Sequence, residues 1–175
     1  MKARKLLMIP GPIEFEPEVM QAMGTPTTSH VAPDFVQSFG HALDMMKEVW
    51  MAPSGQPFAV AGSGTLAMDM AAANLVEDGE SVLVISTGYF GERYADLLKR
   101  YTRHVDVLRA EQGDVVDIER IEEQLNKKNY KLLTFTHVDT STAVLNDPRA
   151  IGQLGQKYGV LTVLDGVCSV AGEEI

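Results

Sequence analysis

Cysteine is almost missing from this chain. Cys168 stands alone, so no intrachain disulfide framework can form, and a reducing compartment, most simply the cytoplasm, is the expected setting. An excess of positive charge is missing as well. Lys and Arg number 15 against 24 Asp and Glu, a net charge of −9, which argues against nucleic acid or an anionic membrane as a main partner. No apolar run approaches the ~20 residues of a membrane span. The basic start Met1-Lys2-Ala3-Arg4-Lys5 leads into only Leu6-Leu7-Met8-Ile9 before Pro10, too short for a secretory core. The final Glu173-Glu174-Ile175 matches no peroxisomal tripeptide. What is present is ordinary for a globular protein: 175 residues, 45% hydrophobic and 22% charged, enough for one domain with a sizeable core.

Helical and strand periodicities alternate along the chain. Phe35, Phe39, Leu43, Met46 and Trp50 mark one face of a helix over 32–50. Phe58-Ala59-Val60-Ala61 predicts a short strand entering Gly62-Ser63-Gly64, and the apolar stretch 65–76 predicts a buried helix. Val82-Leu83-Val84-Ile85 predicts a buried strand, and 91–103 a helix turning Tyr94, Leu97, Leu98 and Tyr101 inward. A strand near 105–108, a helix capped by Asp117, and a strand over 131–135 follow. The series closes with a helix from Asp147-Pro148 to Gly159 and a strand over 160–164. Strands of continuous Val, Leu and Ile alternating with helices predict an α/β fold: three layers, a mostly parallel sheet flanked by helices. Residues 1–30, with Pro10, Pro12, Pro17 and Pro26 and a short helix between Pro17 and Gly24, read as an N-terminal arm or meander. Residues 31–175 read as one α/β unit.

Four motifs could carry chemistry. Gly62-Ser63-Gly64-Thr65 opens a helix, where free N–H groups and a partial positive charge suit a phosphate; taken alone, such a turn is more often a simple cap. It is neither a Walker A loop nor GxGxxG, and no acidic residue ends the second strand, which weakens a nicotinamide-binding reading. Asp165 ends the last strand, where open parallel sheets bind ligands; it could hold a protonated ring nitrogen, cap a loop or take a metal. Thr140, Ser141 and Thr142 could bond a ligand's phenolic oxygen or cap a turn. Phe90 could stack on an aromatic ligand or plug the core edge. His137 reads as a histidine tied to backbone, Cys168 as packing, and His30 and His41 show no metal-ligand pattern.

Taken in order, these motifs resemble class V, fold-type I pyridoxal-phosphate aminotransferases, nearest in type to the fungal alanine–glyoxylate (serine–pyruvate) enzymes. Leu7-Met8-Ile9-Pro10-Gly11-Pro12 joins them, and the segments Thr136-His137-Val138-Asp139-Thr140-Ser141-Thr142-Ala143-Val144-Leu145 and Asp165-Gly166-Val167-Cys168-Ser169 are the most specific. The resemblance implies the N-terminal part of the cofactor-binding large domain. It implies pyridoxal 5'-phosphate held by Ser63, Gly64 and Thr65 at the phosphate, Phe90 and Val167 on the ring faces, Thr140 at the phenolic oxygen and Asp165 at the pyridine nitrogen. Gly11 would lie near the substrate, a small amino acid or 2-oxo acid, in a homodimer. Such proteins are about twice this length and place their Schiff-base lysine some two dozen residues beyond the matching aspartate. The expectation is therefore that this chain alone is inactive, with a desulfurase-like chemistry or a non-catalytic partner-binding role as alternatives.

Overall fold

The computed structural model describes residues 5–175. The chain forms two compact units, Met1–Ala59 and Val60–Ile175. In the first, α1 (Pro17–Met23) and α2 (Pro33–Val49) each begin on a proline, where the missing N–H is not needed. Phe35 and Phe39, one turn apart on α2, stack with ring centroids 5.9 Å apart. Among the described residues neither helix buries a side chain, and Phe35, Val36 and Phe39 stay exposed.

The second unit runs α3 (Gly64–Leu75), β1 (Ser81–Ser86), α4 (Tyr89–Leu98), β2 (His104–Arg109), α5 (Ile118–Lys127), β3 (Leu132–Thr136), α6 (Pro148–Tyr158), β4 (Leu161–Asp165). The strands form one sheet in the order β2-β1-β3-β4, all parallel. Alternating side chains split the core between the two faces. Leu83, Ile85, Leu133 and Phe135 meet Ile121 and Leu125 of α5 and Ile151 and Leu154 of α6. Val82, Val84 and Leu132 meet Met68 and Ala72 of α3 and Tyr94, Ala95, Leu97 and Leu98 of α4. From β1 the chain first builds outward to β2 and then crosses to β3 on the other side. That reversal puts a crevice at the carboxyl ends of β1 and β3.

Helix α6 has the expected ends. Asp147 Oδ1 accepts from the N–H groups of Arg149 and Ala150, and Gly159 stops the helix at φ 64°. Other expectations are corrected. Asp117 precedes α5, yet its side chain makes no capping hydrogen bond. The segment 58–61 pairs with no strand among the described residues; Phe58 and Val60 are 75% and 55% exposed, so apolar character without a neighbouring ladder yields no strand. Helix α3 buries only Met68 and Ala72, with Leu66 and Met70 exposed, because one of its faces alone packs on the core. Helix α4 starts two residues before the expected Gly91 and ends before Tyr101, whose hydroxyl donates to Asp69 at 2.8 Å.

Candidate active site

The turn from β1 into α4 needs its first N–H groups satisfied, and Gly88 has no side chain to do it. Asp139, fully buried in the loop after β3, supplies the acceptor. Its Oδ2 takes the N–H groups of Phe90 (2.9 Å) and Gly91 (3.2 Å). Its Oδ1 takes the Ser141 N–H (3.0 Å) and hydroxyl (2.7 Å), and Ser141 Oγ in turn accepts from the Tyr89 N–H at 2.9 Å. A carboxylate at a helix start also suits the helix dipole. Gly88 is required by space: a Cβ there would lie 2.5 Å from Ser141 Oγ and 2.6 Å from Asp139 Cγ. Thr142 Oγ1 donates to the Thr87 carbonyl (3.0 Å), and Asn146 Nδ2 donates to the Thr136 carbonyl (2.8 Å). These bonds fix one wall of the crevice.

A cleft of about 170 Å³ opens beside that wall. The start of α3 brings Gly64 and Thr65 to it, the start of α4 brings Phe90, the β3 loop brings Thr140, and the end of β4 brings Asp165 and Val167. Six of the seven residues expected at a cofactor are thus gathered. Ser63 does not line the cleft: its Oγ accepts the Leu66 N–H at 3.2 Å and caps α3. Gly11 belongs to the first unit and is exposed there. Across the mouth, a Cβ on Gly64 would stand 3.5 Å from Val167 Cγ2. Thr65 Oγ1 accepts from Arg93 Nε at 3.2 Å.

Asp165 sits half-buried, paired across the strands with Thr136, its carbonyl accepting the His137 N–H at 2.9 Å. Burial pushes its carboxyl above the usual range and the nearby Asp139 charge adds to this. The Val167 N–H, 3.2 Å from Oδ1, and the dipole of Thr136 oppose the rise. The Thr136 hydroxyl faces the carboxylate without a formed hydrogen bond. His137 is 1% exposed; burial pushes its imidazole toward the neutral form, and Nδ1 has no partner among the described residues. Its ring stays out of the cleft, and the expected tie of the imidazole to backbone is not seen at Nδ1; only the main-chain N–H is bonded, to the Asp165 carbonyl. Cys168 corrects its expectation. It is exposed, lines the cleft, and places Sγ 2.7 Å from Thr140 Oγ1. Sequence reasoning missed Asp139 as the organiser of the wall; Asp followed two residues on by Ser signals a local turn, but not a partner 49 residues away.

A parallel sheet with an acidic strand end facing a helix start defines a small-ligand site of the α/β class. The chain belongs to the class-V aminotransferase family, which matches residues 16–175. It is 42% identical over 182 residues to alanine–glyoxylate aminotransferase 1 of Saccharomyces cerevisiae, covering 99% of this chain and 47% of that protein. The crystal structure of an alanine–glyoxylate aminotransferase from Nostoc sp. superposes with TM-score 0.93 at 32% identity, covering 100% of this chain and 46% of that one. The ureidoglycine–glyoxylate aminotransferase structure from Bacillus subtilis gives TM-score 0.92 at 26% identity, with 100% and 46% covered. The chain spans about half the length of these relatives.

Proposed function

We propose that these residues form the cofactor-binding half of a pyridoxal 5'-phosphate-dependent aminotransferase, a homodimer that moves an amino group from alanine or serine to glyoxylate or pyruvate. The single observation that carries this is the position of Asp165, a half-buried carboxylate at the end of β4 in a cleft that also holds a helix start and an aromatic side chain. The donor set fits the cofactor. The N–H groups of Gly64 and Thr65 precede the α3 ladder and suit a phosphate. Phe90 and Val167 offer two apolar faces for a flat ring. When bound, the cofactor's ring supplies an electron sink for charge developing at the substrate's α-carbon. Asp165 would keep the ring nitrogen protonated, and Thr140 would turn its hydroxyl from Cys168 to the phenolic oxygen. Glyoxylate as acceptor is supported by its place in the names of all three relatives.

The test is turnover of alanine with glyoxylate in the whole protein. Asp165→Ala should lower kcat by roughly 100-fold, since an ionic hydrogen bond is worth ~1.5–3 kcal/mol, and Thr140→Ala by roughly tenfold. Equal losses would reduce Asp165 to a structural role and overturn the reading.

A further inference from the structure

The cleft is short of positive charge. Its lining carries the Asp165 carboxylate and no lysine or arginine, in a chain of net charge −9. A phosphate would add a charge of about −1.5 to −2, against roughly half a positive charge at the start of α3. One arginine is bonded to that lining. Arg93 of α4 lies one turn beyond Phe90; its Nε donates to Thr65 Oγ1 at 3.2 Å, and its Nη1 lies 3.5 Å from the Tyr89 hydroxyl. The Tyr89 and Phe90 rings meet edge to face, centroids 5.2 Å apart. Beside the cleft, a groove of about 350 Å³ shares Thr65 with it and holds Arg93, Glu92 and Asp96. Both carboxylates are already engaged: Glu92 takes Arg109 through its two oxygens at 2.8 and 2.9 Å, and Asp96 takes Lys99 at 2.7 Å. Among the described residues no carboxylate pairs with Arg93.

We propose that Arg93 is a positioning residue for the cofactor's phosphate, acting through Thr65 at the turn that opens α3. This rests on the reading of Gly64 and Thr65 as the phosphate turn. A guanidinium has donors and no acceptor, so the Thr65 oxygen accepts in this bond and its own proton is turned away from Arg93. The same bond ties the first turn of α3 to α4, the helix that carries Phe90. One side chain thus links the phosphate end of the cleft to the face on which the ring would stack. The charge matters as well as the bond. With Glu92 and Asp96 committed to other cations, the Arg93 charge is not neutralised locally, and it stands against an anion site whose own lining has no cation. Lysine at this position would keep the charge and lose the planar fork, whereas glutamine would lose the charge.

The experiment titrates the 15N-labelled chain with 4'-deoxypyridoxine 5'-phosphate, which has the ring and phosphate without the aldehyde, and with the same compound lacking the phosphate. Affinity is read by calorimetry and location by the Gly64 and Thr65 amide signals. The phosphorylated probe should bind the unaltered chain and move both amides. Arg93→Gln should weaken that binding about tenfold and leave the unphosphorylated probe unchanged, and Arg93→Lys should recover part of the loss. Arg93 is exposed, so both variants should fold, which thermal unfolding checks. Should Arg93→Gln fail to fold, Arg93→Met is read in the same way. An unchanged affinity for the phosphorylated probe in the folded variant overturns the role of Arg93 alone and leaves the cofactor reading standing. Equal weakening of both probes overturns it too, because the arginine would then only support the wall. If the unaltered chain binds neither probe, or binds both alike with the two amides unmoved, the reading of the phosphate turn falls and the proposal falls with it.

Discussion

The two faces of the sheet are built to different rules. Toward α5 and α6 the fully buried strand residues are apolar: Leu83, Ile85, Leu133 and Phe135 close on Ile121, Leu125, Ile151 and Leu154. Toward α3 and α4 the same strands bury Thr134 and Thr136 among Val82, Val84 and Leu132, with the half-buried Asp165 of β4 beside Thr136. One face holds the fold together, and the other tolerates polar burial to build a cleft. The lesson is that stability and chemistry are divided by the two-residue repeat of a strand, so neighbours in sequence serve different ends.

Substitutions on each face should separate the two. The largest stability loss is expected at Phe135→Ala, about 3–5 kcal/mol for a large aromatic truncated in a packed core, read by urea unfolding. A cost under about 1 kcal/mol would break the comparison, because the dry face would then not be the one that holds the fold. Next comes Asp139→Ala at about 3 kcal/mol, since it strands the N–H groups of Phe90 and Gly91; that loss should appear in thermal unfolding together with a disordered α4 start in amide exchange. The smallest effect is expected at Asp165→Asn, and it depends on pH. A carboxyl raised in the folded state destabilises the fold when charged; the penalty is absent below the unfolded pKa and complete above the folded one. Asp165→Asn should therefore raise stability at about pH 7 and leave it unchanged at about pH 3. A variant less stable at neutral pH would show that Asp165 supports the fold as well as the cleft.

Much of this was legible before the structure. The buried strands were readable because Val82 to Ile85 and Leu132 to Phe135 are continuous apolar runs, the mark of strands covered on both sides. Helix α6 was readable from local end chemistry, Asp147 with Pro148 and then Gly159. What failed was whatever depends on distant residues. Apolar residues at 58–61 suggest a strand, but a strand exists only where another pairs with it. Asp117 has the identity of a cap without the geometry, while Asp139, inside a loop, caps a helix elsewhere in the chain. In the cleft, Asp165, Thr140, Phe90, Val167, Gly64 and Thr65 converge as their motifs suggested, because each follows the end of a strand or opens a helix on the crevice side. Ser63 is turned aside by its own cap, and the exposure of Cys168 lay beyond reach, since only the tertiary fold decides which strand-end residues look into a crevice.

The bonds from Asp139 to Phe90, and from Asn146 and Thr142 to Thr87, close loops of 49, 59 and 55 residues. Loop closure of that length is entropically unfavourable and slow relative to the local winding of a helix. On the ribosome, a chain that has released β1 and α4 therefore carries a helix start with bare N–H groups until residue 139 has emerged. The wall of the crevice is completed only once Asp139 has joined the two distant turns, and the cleft itself only after Asp165 and Val167 have followed.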